Sequence, residues 1–375
     1  MTLEKIFNAG LYLLLLTPLI YLPQLAWAGT VAKTVYFQVL VAVLAAIYIF
    51  LAIFSEAYRP KLTAISGALL VLLLILFVAS FLGVDWPRSF WSTVDRQSGL
   101  FLWLHLAAFF LMLKSANLNW QKFFTAAVLV SALAAIAAVF LPTLDRFSGT
   151  LGNPLFVAYY LVPNVFLALW LAFAFTAKGS RRWLFLAIAG GEILLILIIG
   201  SRGAALGLIA GFLVLAFLKH RSHYFLPLLA GLIIAGLFFG FNLERLAPEK
   251  IFRDAQPRLI NWQIILEAFL EKPFLGWGWE NYFHAFNQHY QPQLLQYGET
   301  ETRFDRPHNL LLEFLVTSGL AGLLLYLILL FFVWRRALLV SPYLAALVSA
   351  YFIQNLLAFD TINNYLTFFA LMAFL

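Results

Sequence analysis

Long apolar blocks constrain this sequence more than any other feature. Stretches such as residues 64–80 and 203–218 contain no charged residue, and they are close to the roughly 17 to 25 residues that a helix needs to cross a bilayer. They lack the alternating polarity of transmembrane β-strands. Hydrophobic residues make up 63% of the 375 positions and charged residues 11%, whereas soluble domains are about a quarter charged. The sequence therefore predicts transmembrane helices, whose backbone groups pair internally.

The predicted fold class is an all-α polytopic membrane protein with about twelve transmembrane helices, in a single membrane domain over residues 1–375. The first block is interpreted as a retained helix rather than a signal peptide, because a second span follows almost at once. The absence of cysteine excludes disulfides and Cys-based metal sites. The predicted spans are 9–29, 36–54, 64–84, 99–113, 123–141, 155–176, 183–199, 203–218, 225–241, 309–333, 342–358 and 361–375.

Charge divides unequally between the two predicted sides. One side has twelve basic residues but only Glu4 and Glu56, whereas the other has twelve basic and thirteen acidic residues. The strongly cationic side is predicted to be cytoplasmic and includes the N-terminus. These basic residues lie in short loops, where they set the orientation in the membrane. The net charge of +7 therefore does not indicate nucleic-acid binding.

The opposite, outward side carries one large loop, residues 242–308. Within it, residues 258–271 predict an amphipathic helix that lies on the bilayer surface or caps the bundle. Its predicted apolar face consists of Leu259, Trp262, Ile265, Leu266 and Phe269.

Arginines near outward helix ends are the first candidate site residues. Arg202 follows Ser201 in a very short turn and begins a helix, whose N-terminus favours an anion. Arg258 and Trp262 are one helical turn apart, so that arginine can clamp phosphate while tryptophan stacks on a sugar. The structural alternatives are a snorkelling arginine that orients a hairpin and an interfacial anchor pair.

A glycine-rich turn, residues 146–154, is a further candidate. It contains Arg146 and Asn153, and its backbone N–H groups can line a ligand cavity. It can equally be an ordinary tight connection. Arg96, in another outward loop, is a possible additional cation.

His308 is the candidate general base. Asp305 is interpreted as a helix N-cap with Pro307 in the first turn, which places His308 in that turn as well. The helix end would then lower the pKa of His308 and favour the neutral imidazole that a base requires. The alternative is a structural histidine near the membrane surface.

Two carboxylates lie within predicted spans, where ionisable groups rarely face lipid. Glu313 is four residues after Asn309 and is predicted to line the same cavity. Glu192 is predicted to pair with one of the arginines at the mouth of the bundle.

Together, Ser201-Arg202-Gly203, Arg258 with Trp262, and His308-Asn309 followed by Glu313 and Gly319 resemble the O-antigen ligase and polymerase superfamily. The resemblance covers about residues 146–333, and the turn at residues 149–154 is similar to a segment in many members. It rests on the order, spacing and shared side of these motifs rather than on any one of them.

The resemblance implies a glycosyltransferase of the periplasmic face of a bacterial inner membrane. Such an enzyme moves a glycan from an undecaprenyl-pyrophosphate carrier to a hydroxyl of lipid A core, a growing polysaccharide or a protein. It implies no metal ion or other cofactor, and inversion at the anomeric carbon. His308 would be catalytic; Arg202, Arg258, Arg146 and Arg306 would bind the pyrophosphate; and Ser201, Trp262, Asn309, Glu313 and Asn153 would support them.

Two other function classes fit the sequence. A multi-span transporter of a small anion would also have many helices and buried charges, although polar residues here gather on one face rather than at the midplane. A scaffold within a polysaccharide assembly complex would not need His308.

Overall fold

The computed structural model describes residues 2–25, 27, 29–141, 147–173, 179–219 and 248–375. The described residues form α-helices and short 3-10 turns, and no strand occurs among them. The helices are α1 Leu3–Leu14, α2 Val31–Phe54, α3 Ala64–Phe81, α4 Trp86–Trp91, α5 Leu100–Ser115, α6 Trp120–Phe140, α7 Pro154–Phe173, α8 Ser180–Ile199, α9 Arg202–Leu218, α10 Pro248–Glu271, α11 Tyr282–Gln288, α12 Leu310–Val340, α13 Pro342–Gln354 and α14 Ile362–Phe374.

Six of these helices, α2, α3, α6, α7, α8 and α12, are long and apolar enough to cross a membrane. Helices α5, α9, α13 and α14 are apolar but shorter. The prediction of an all-α polytopic membrane protein is confirmed, although the number of long apolar helices in the described ranges is half of the twelve predicted spans. The predicted span 225–241 lies outside the residues that the structure describes.

The first predicted span, residues 9–29, is not one helix. Helix α1 ends at Leu14, and a short 3-10 turn at Thr17–Leu19 follows. Pro18 lies in that turn, and proline cannot continue an α-helix because it lacks the backbone N–H. The break therefore follows from a residue inside the apolar block rather than from a loss of hydrophobicity.

Helix α7 is the centre of the bundle. In its most apolar stretch 83% of the residues are buried, against 22% in α2 at the periphery. It packs against α6, α8, α9, α13 and α14. A central helix of this kind fixes the position of the turn before it, which carries Asn153.

Lysine and arginine side chains near helix ends donate hydrogen bonds, and they form two groups that come from the two predicted sides. In one group, the Lys33 ammonium donates to the backbone oxygens of Ile20 and Thr150, both at 2.5 Å. In the other, Lys219 donates to the Tyr343 hydroxyl at 2.6 Å, and Arg336 donates to the Leu375 carbonyl at 3.0 Å.

Helix α12 is broken at Gly319, whose φ of 64° is not helical. The break is filled by residues 273–280, the inserted segment, whose last five residues are buried. Backbone hydrogen bonds join the two segments: Trp277 N to Val316 O at 2.9 Å, Gly278 N to Thr317 O at 2.8 Å, Leu320 N to Pro273 O at 2.8 Å and Ala321 N to Phe274 O at 3.3 Å. The inserted segment thus supplies partners for backbone groups that the interrupted helix leaves unpaired.

We expect Gly319→Ala to lower the melting temperature of the purified protein. The positive φ alone costs a non-glycine residue about 1–3 kcal/mol, and the added Cβ would lie 2.3 Å from the Phe274 carbonyl. Gly190→Ala in α8 is the control, because that glycine is helical and a Cβ there meets nothing within 4 Å. Equal melting temperatures for the two variants would contradict this account of the break.

Candidate functional site

A cavity of about 890 Å³ opens among helix ends and loops. Its walls come from the α4–α5 connection, the start of α7, the α8–α9 turn, α10, the loop between α11 and α12, and the α13–α14 connection. Arg96, Arg202, Arg258 and His308 all line it. The structure therefore brings together candidates that lie more than 200 residues apart in sequence.

Arg202 reaches the cavity through a sharp turn between two helices. Gly200 ends α8 in the left-handed conformation, with φ 72°, and Ser201 caps α9 by accepting from the Ala204 N–H at 3.4 Å. Arg202 is the first residue of α9 and is exposed. As predicted, the guanidinium and the N-terminal partial charge of α9 lie together at the cavity.

Arg258 and Trp262 lie on α10, which begins at Pro248 and is longer than the predicted helix over residues 258–271. Both line the cavity. Of the predicted apolar face, Ile265 is buried, whereas Leu259 and Leu266 are exposed on the protein surface. The buried face, with Ile260, Ile264, Ile265 and Ala268, packs against aromatic residues of the loop between α10 and α12.

His308 lies before α12 rather than in its first turn. Asn309 is the N-cap, and its side-chain oxygen accepts from the N–H groups of Leu311 at 3.0 Å and Leu312 at 3.2 Å. The prediction that Asp305 caps this helix is therefore wrong. His308 has a φ of 54°, a left-handed conformation that is uncommon for residues other than glycine, although asparagine, aspartate and histidine adopt it more often than the rest.

The pKa of His308 is lowered to about 4. Burial is the largest cause, and the positive charges of Arg258, Arg96 and Arg306 act in the same direction against the opposing charge of Asp305. The neutral imidazole is thus favoured, as predicted, but through burial and neighbouring cations rather than through the helix end.

The ring of Phe359 contacts His308 and two nearby arginines. Its ring centre is 5.4 Å from that of His308, nearly perpendicular to it, and lies 4.8 Å from the Arg96 guanidinium and 5.5 Å from that of Arg306. It also borders a second, small cavity of about 20 Å³ beside Arg306 and Asp360. One aromatic side chain thus separates the large cavity from a buried ionic cluster.

Arg306 does not line the large cavity. Its guanidinium donates to the carboxylates of Glu280 and Glu313 and to the Ser98 hydroxyl. The three charged side chains are each at most 5% exposed. The expectations that Arg306 binds pyrophosphate and that Glu313 lines the cavity are therefore corrected, because the two residues neutralise each other inside the protein.

A second ion pair fixes the backbone before His308. The Arg96 Nε is 2.6 Å from the Asp305 carboxylate. Burial opposes ionisation of Asp305, but the charge and hydrogen bond of Arg96 and the charge of Arg306 hold its pKa below the usual value. Residues 305 and 306 are thus both tied to other parts of the bundle, so that His308 has little freedom to move.

The remaining predicted site residues have mixed positions. Asn153 lines the cavity, and its side chain accepts from the Leu155 N–H at 2.8 Å. Arg146 lies outside the described residues. Glu192 accepts from the Ser131 hydroxyl at 2.6 Å, so that the prediction of an arginine partner for Glu192 is not supported in the part of the chain that is described.

Sequence reasoning missed several residues of the site. Tyr159, Tyr297, Glu301 and Phe359 line the cavity without belonging to any motif singled out above. Glu280 was also missed, although it ends the unusual run Gly276-Trp277-Gly278-Trp279-Glu280, which could have drawn attention to this segment. Two glycines with positive φ in that run indicate tight packing of backbone against its neighbours.

The fold and this cavity define a polytopic helical membrane protein with a cationic, histidine-containing site at one end of its bundle. Residues 183–327 match the model of a family described as O-antigen ligase. This region therefore belongs to the O-antigen ligase superfamily, and the resemblance seen in its motifs is confirmed. No curated protein matches the sequence. The matched region includes Arg202, Arg258 and His308, whereas Arg96 and Asn153 lie before it.

Proposed function

We propose that the protein transfers a glycan from an undecaprenyl-pyrophosphate carrier to an acceptor hydroxyl on lipid A core, a growing polysaccharide or a protein. The single observation that carries the proposal is the 890 Å³ cavity, in which Arg96, Arg202 and Arg258 lie with His308. Such a cavity has room for a diphosphate and the sugar that it bears. The family match over residues 183–327 supports the same reaction class.

The proposed topology has twelve spans, a cytoplasmic N-terminus and the cavity on the periplasmic face of a bacterial inner membrane. The unequal distribution of basic residues supports this orientation. The described part of the outward loop, residues 248–308, then lines the cavity on the periplasmic side.

The arginines act on the leaving group in this proposal. Breaking the glycosidic bond leaves an additional negative charge on the pyrophosphate, and cations already in place stabilise that charge without reorganisation. Arg258 has no ion-pair or hydrogen-bond partner within the described ranges, so that it is available for a phosphate oxygen. Arg202 and Arg258 supply charge that a metal ion would otherwise provide, and the proposed reaction is metal-independent.

His308 acts on the acceptor. Its neutral imidazole takes the proton of the acceptor hydroxyl while that oxygen forms a bond to the anomeric carbon. The bond from that carbon to the phosphate oxygen breaks, and its electron pair leaves with the pyrophosphate. A single attack from the face opposite the leaving group inverts the anomeric configuration.

Transfer by purified protein in the presence of EDTA tests the proposal. We expect Arg258→Ala and Arg202→Ala each to lower the transfer rate on the order of 10²-fold, as for loss of a group that stabilises transition-state charge. Arg303→Ala is the matched control, because Arg303 is an exposed arginine of the same loop that does not line the cavity.

Three outcomes would contradict the proposal. A parent protein that is folded but inactive with several lipid-linked donors would argue against transfer, and uptake of a small anion by proteoliposomes would then favour a transporter. Activity abolished by EDTA and restored by a divalent cation would contradict metal independence. Equal losses in Arg258→Ala and Arg303→Ala would remove the assigned role of the cavity arginine.

A further inference from the structure

Trp262, Tyr297 and Glu301 form a part of the cavity lining that pyrophosphate binding does not explain. We call these three residues the loop wall. A pyrophosphate needs cations and N–H donors, whereas a carboxylate such as Glu301 repels it. The loop wall therefore indicates a second chemical group of the ligand, one with hydroxyls and an apolar face.

The backbone at Gly298 brings Tyr297 and Glu301 to the same cavity. Tyr297 ends the 3-10 turn Pro292–Tyr297, and Glu301 ends the turn Glu299–Glu301. Gly298 between them has φ 106° and ψ 165°, a conformation that is essentially restricted to glycine. A Cβ at Gly298 would meet nothing within 4 Å, so that the requirement for glycine comes from the backbone alone.

The aromatic residues of the loop wall are held in place before any ligand arrives. Trp262 and Tyr297 pack against a small hydrophobic core that includes Ile264, Phe286 and Leu294, each at most 1% exposed. Rings fixed in this way lose little conformational entropy when a ligand binds.

The loop wall has unused hydrogen-bonding capacity. Neither the Tyr297 hydroxyl nor the Glu301 carboxylate has a hydrogen-bond or ion-pair partner among the described residues. The indole N–H of Trp262 is buried and likewise has no acceptor there. Buried polar groups are usually paired, and an unpaired donor beside a cavity is available to a ligand after a small side-chain movement.

We propose that Trp262, Tyr297 and Glu301 bind the sugar directly attached to the donor pyrophosphate. The aromatic rings contact the C–H face of the pyranose, and Glu301 accepts hydrogen bonds from its hydroxyls. Arg258 lies one helical turn from Trp262 on the same face of α10, with Cβ atoms about 5–6 Å apart. This spacing suits a phosphate and the sugar that it carries. The inference rests on the proposed function.

Binding of two probes to the protein in lipid nanodiscs tests it. One probe is a polyprenyl pyrophosphate without sugar, and the other is the same lipid carrying one N-acetylhexosamine. We expect Glu301→Gln and Trp262→Leu each to weaken the sugar-bearing probe about tenfold, as for loss of one charge-assisted hydrogen bond or one ring contact, and to change the sugar-free probe less than about twofold. Arg258→Ala weakens both probes.

Gly298→Ala is a second, indirect variant. It should act like Glu301→Gln because it changes the backbone that places Tyr297 and Glu301, while the added Cβ contacts nothing. Gly179→Ala is its matched control, because Gly179 also has a positive φ and open space around it, at the start of α8 away from the cavity. Melting temperatures measured alongside show which variants remain folded.

The outcomes separate the inference from the proposed function. Selective weakening of the sugar-bearing probe in folded variants supports a sugar subsite. Equal changes for both probes, or no change for either, overturn the subsite while the parent still binds pyrophosphate. A parent that binds neither probe overturns the proposed function and the subsite with it.

Discussion

Arg306→Met is expected to prevent stable folding or to lower the free energy of unfolding by about 3–5 kcal/mol, the usual cost of removing one partner of a buried ion pair. The substitution leaves Glu280 and Glu313 buried without their shared guanidinium. The measurement is thermal unfolding of the protein in detergent, together with the yield of monodisperse material.

Two comparisons make this result specific to burial. Arg59→Met removes an exposed arginine paired with Glu56 at 2.9 Å and should cost less than about 1 kcal/mol. A variant with Arg306→Met, Glu280→Gln and Glu313→Gln should regain part of the lost stability, because no buried charge is then uncompensated. If Arg306→Met alone were as stable as the parent, the ionic cluster would not have the structural role assigned to it.

The same triple variant separates structure from ligand binding. Arg306 does not line the large cavity, so that a folded triple variant should bind the sugar-free pyrophosphate probe as the parent does. Weakened binding in a folded variant would show that Arg306 contributes to donor binding, as its position in the sequence motif predicted.

His308→Asn is expected to lower glycan transfer about 10²- to 10⁴-fold, the usual contribution of a general base, without changing donor binding. Asparagine is the substitution of choice because it tolerates the left-handed conformation found at His308, where φ is 54°. Steady-state rates and probe binding, measured on one preparation, distinguish loss of chemistry from loss of affinity. His284→Asn is the control, because His284 belongs to the same loop but does not line the cavity.

The pH dependence gives an independent check on His308. Since its pKa in the folded protein is about 4, below the usual value of about 6.5, the imidazole remains neutral through the neutral range. Transfer should therefore lack a transition near pH 6.5 and fall only as the pH approaches 4. Arg258→Met removes one of the charges that lower this pKa and should move the fall in rate to higher pH.

Stability should follow the same titration. Between about pH 4 and 6.5 the unfolded chain binds a proton at this histidine that the folded protein does not. The contribution of His308 to stability is therefore present above pH 6.5 and is lost as the pH falls through this window. A parent and a His308→Asn variant with the same stability profile from pH 4 to 7 would show that His308 titrates normally.

Much of the fold could be predicted because lipid leaves few choices for an apolar segment. The block over residues 64–81, for example, forms one continuous helix, α3. The break in α12 could not be predicted from α12 alone, because its backbone partners lie in the inserted segment, some 40 residues earlier. The break in the first predicted span had a local signal in Pro18 that the overall hydrophobicity concealed.

Part of the site could be predicted from the sequence for a related reason. Arg202, Arg258 and His308 stood out because polar residues near a bilayer are costly unless they serve a purpose, and all three line the cavity. Arg306 stood out equally and was assigned wrongly, since its partners Glu280 and Ser98 come from distant segments. Nothing in the sequence singled out Phe359 as a site residue, because it is one of 39 phenylalanines.

The broken helix α12 has a consequence for biogenesis. Both halves of α12 form hydrogen bonds with residues 273–278. The ribosome synthesises these residues before it synthesises Gly319. We therefore expect the inserted segment to be already present near the translocon when α12 leaves the ribosome. A protein truncated or lengthened between residues 273 and 309 should then fail at the stage of membrane integration, as an increase in degradation during synthesis, before any question of catalysis arises.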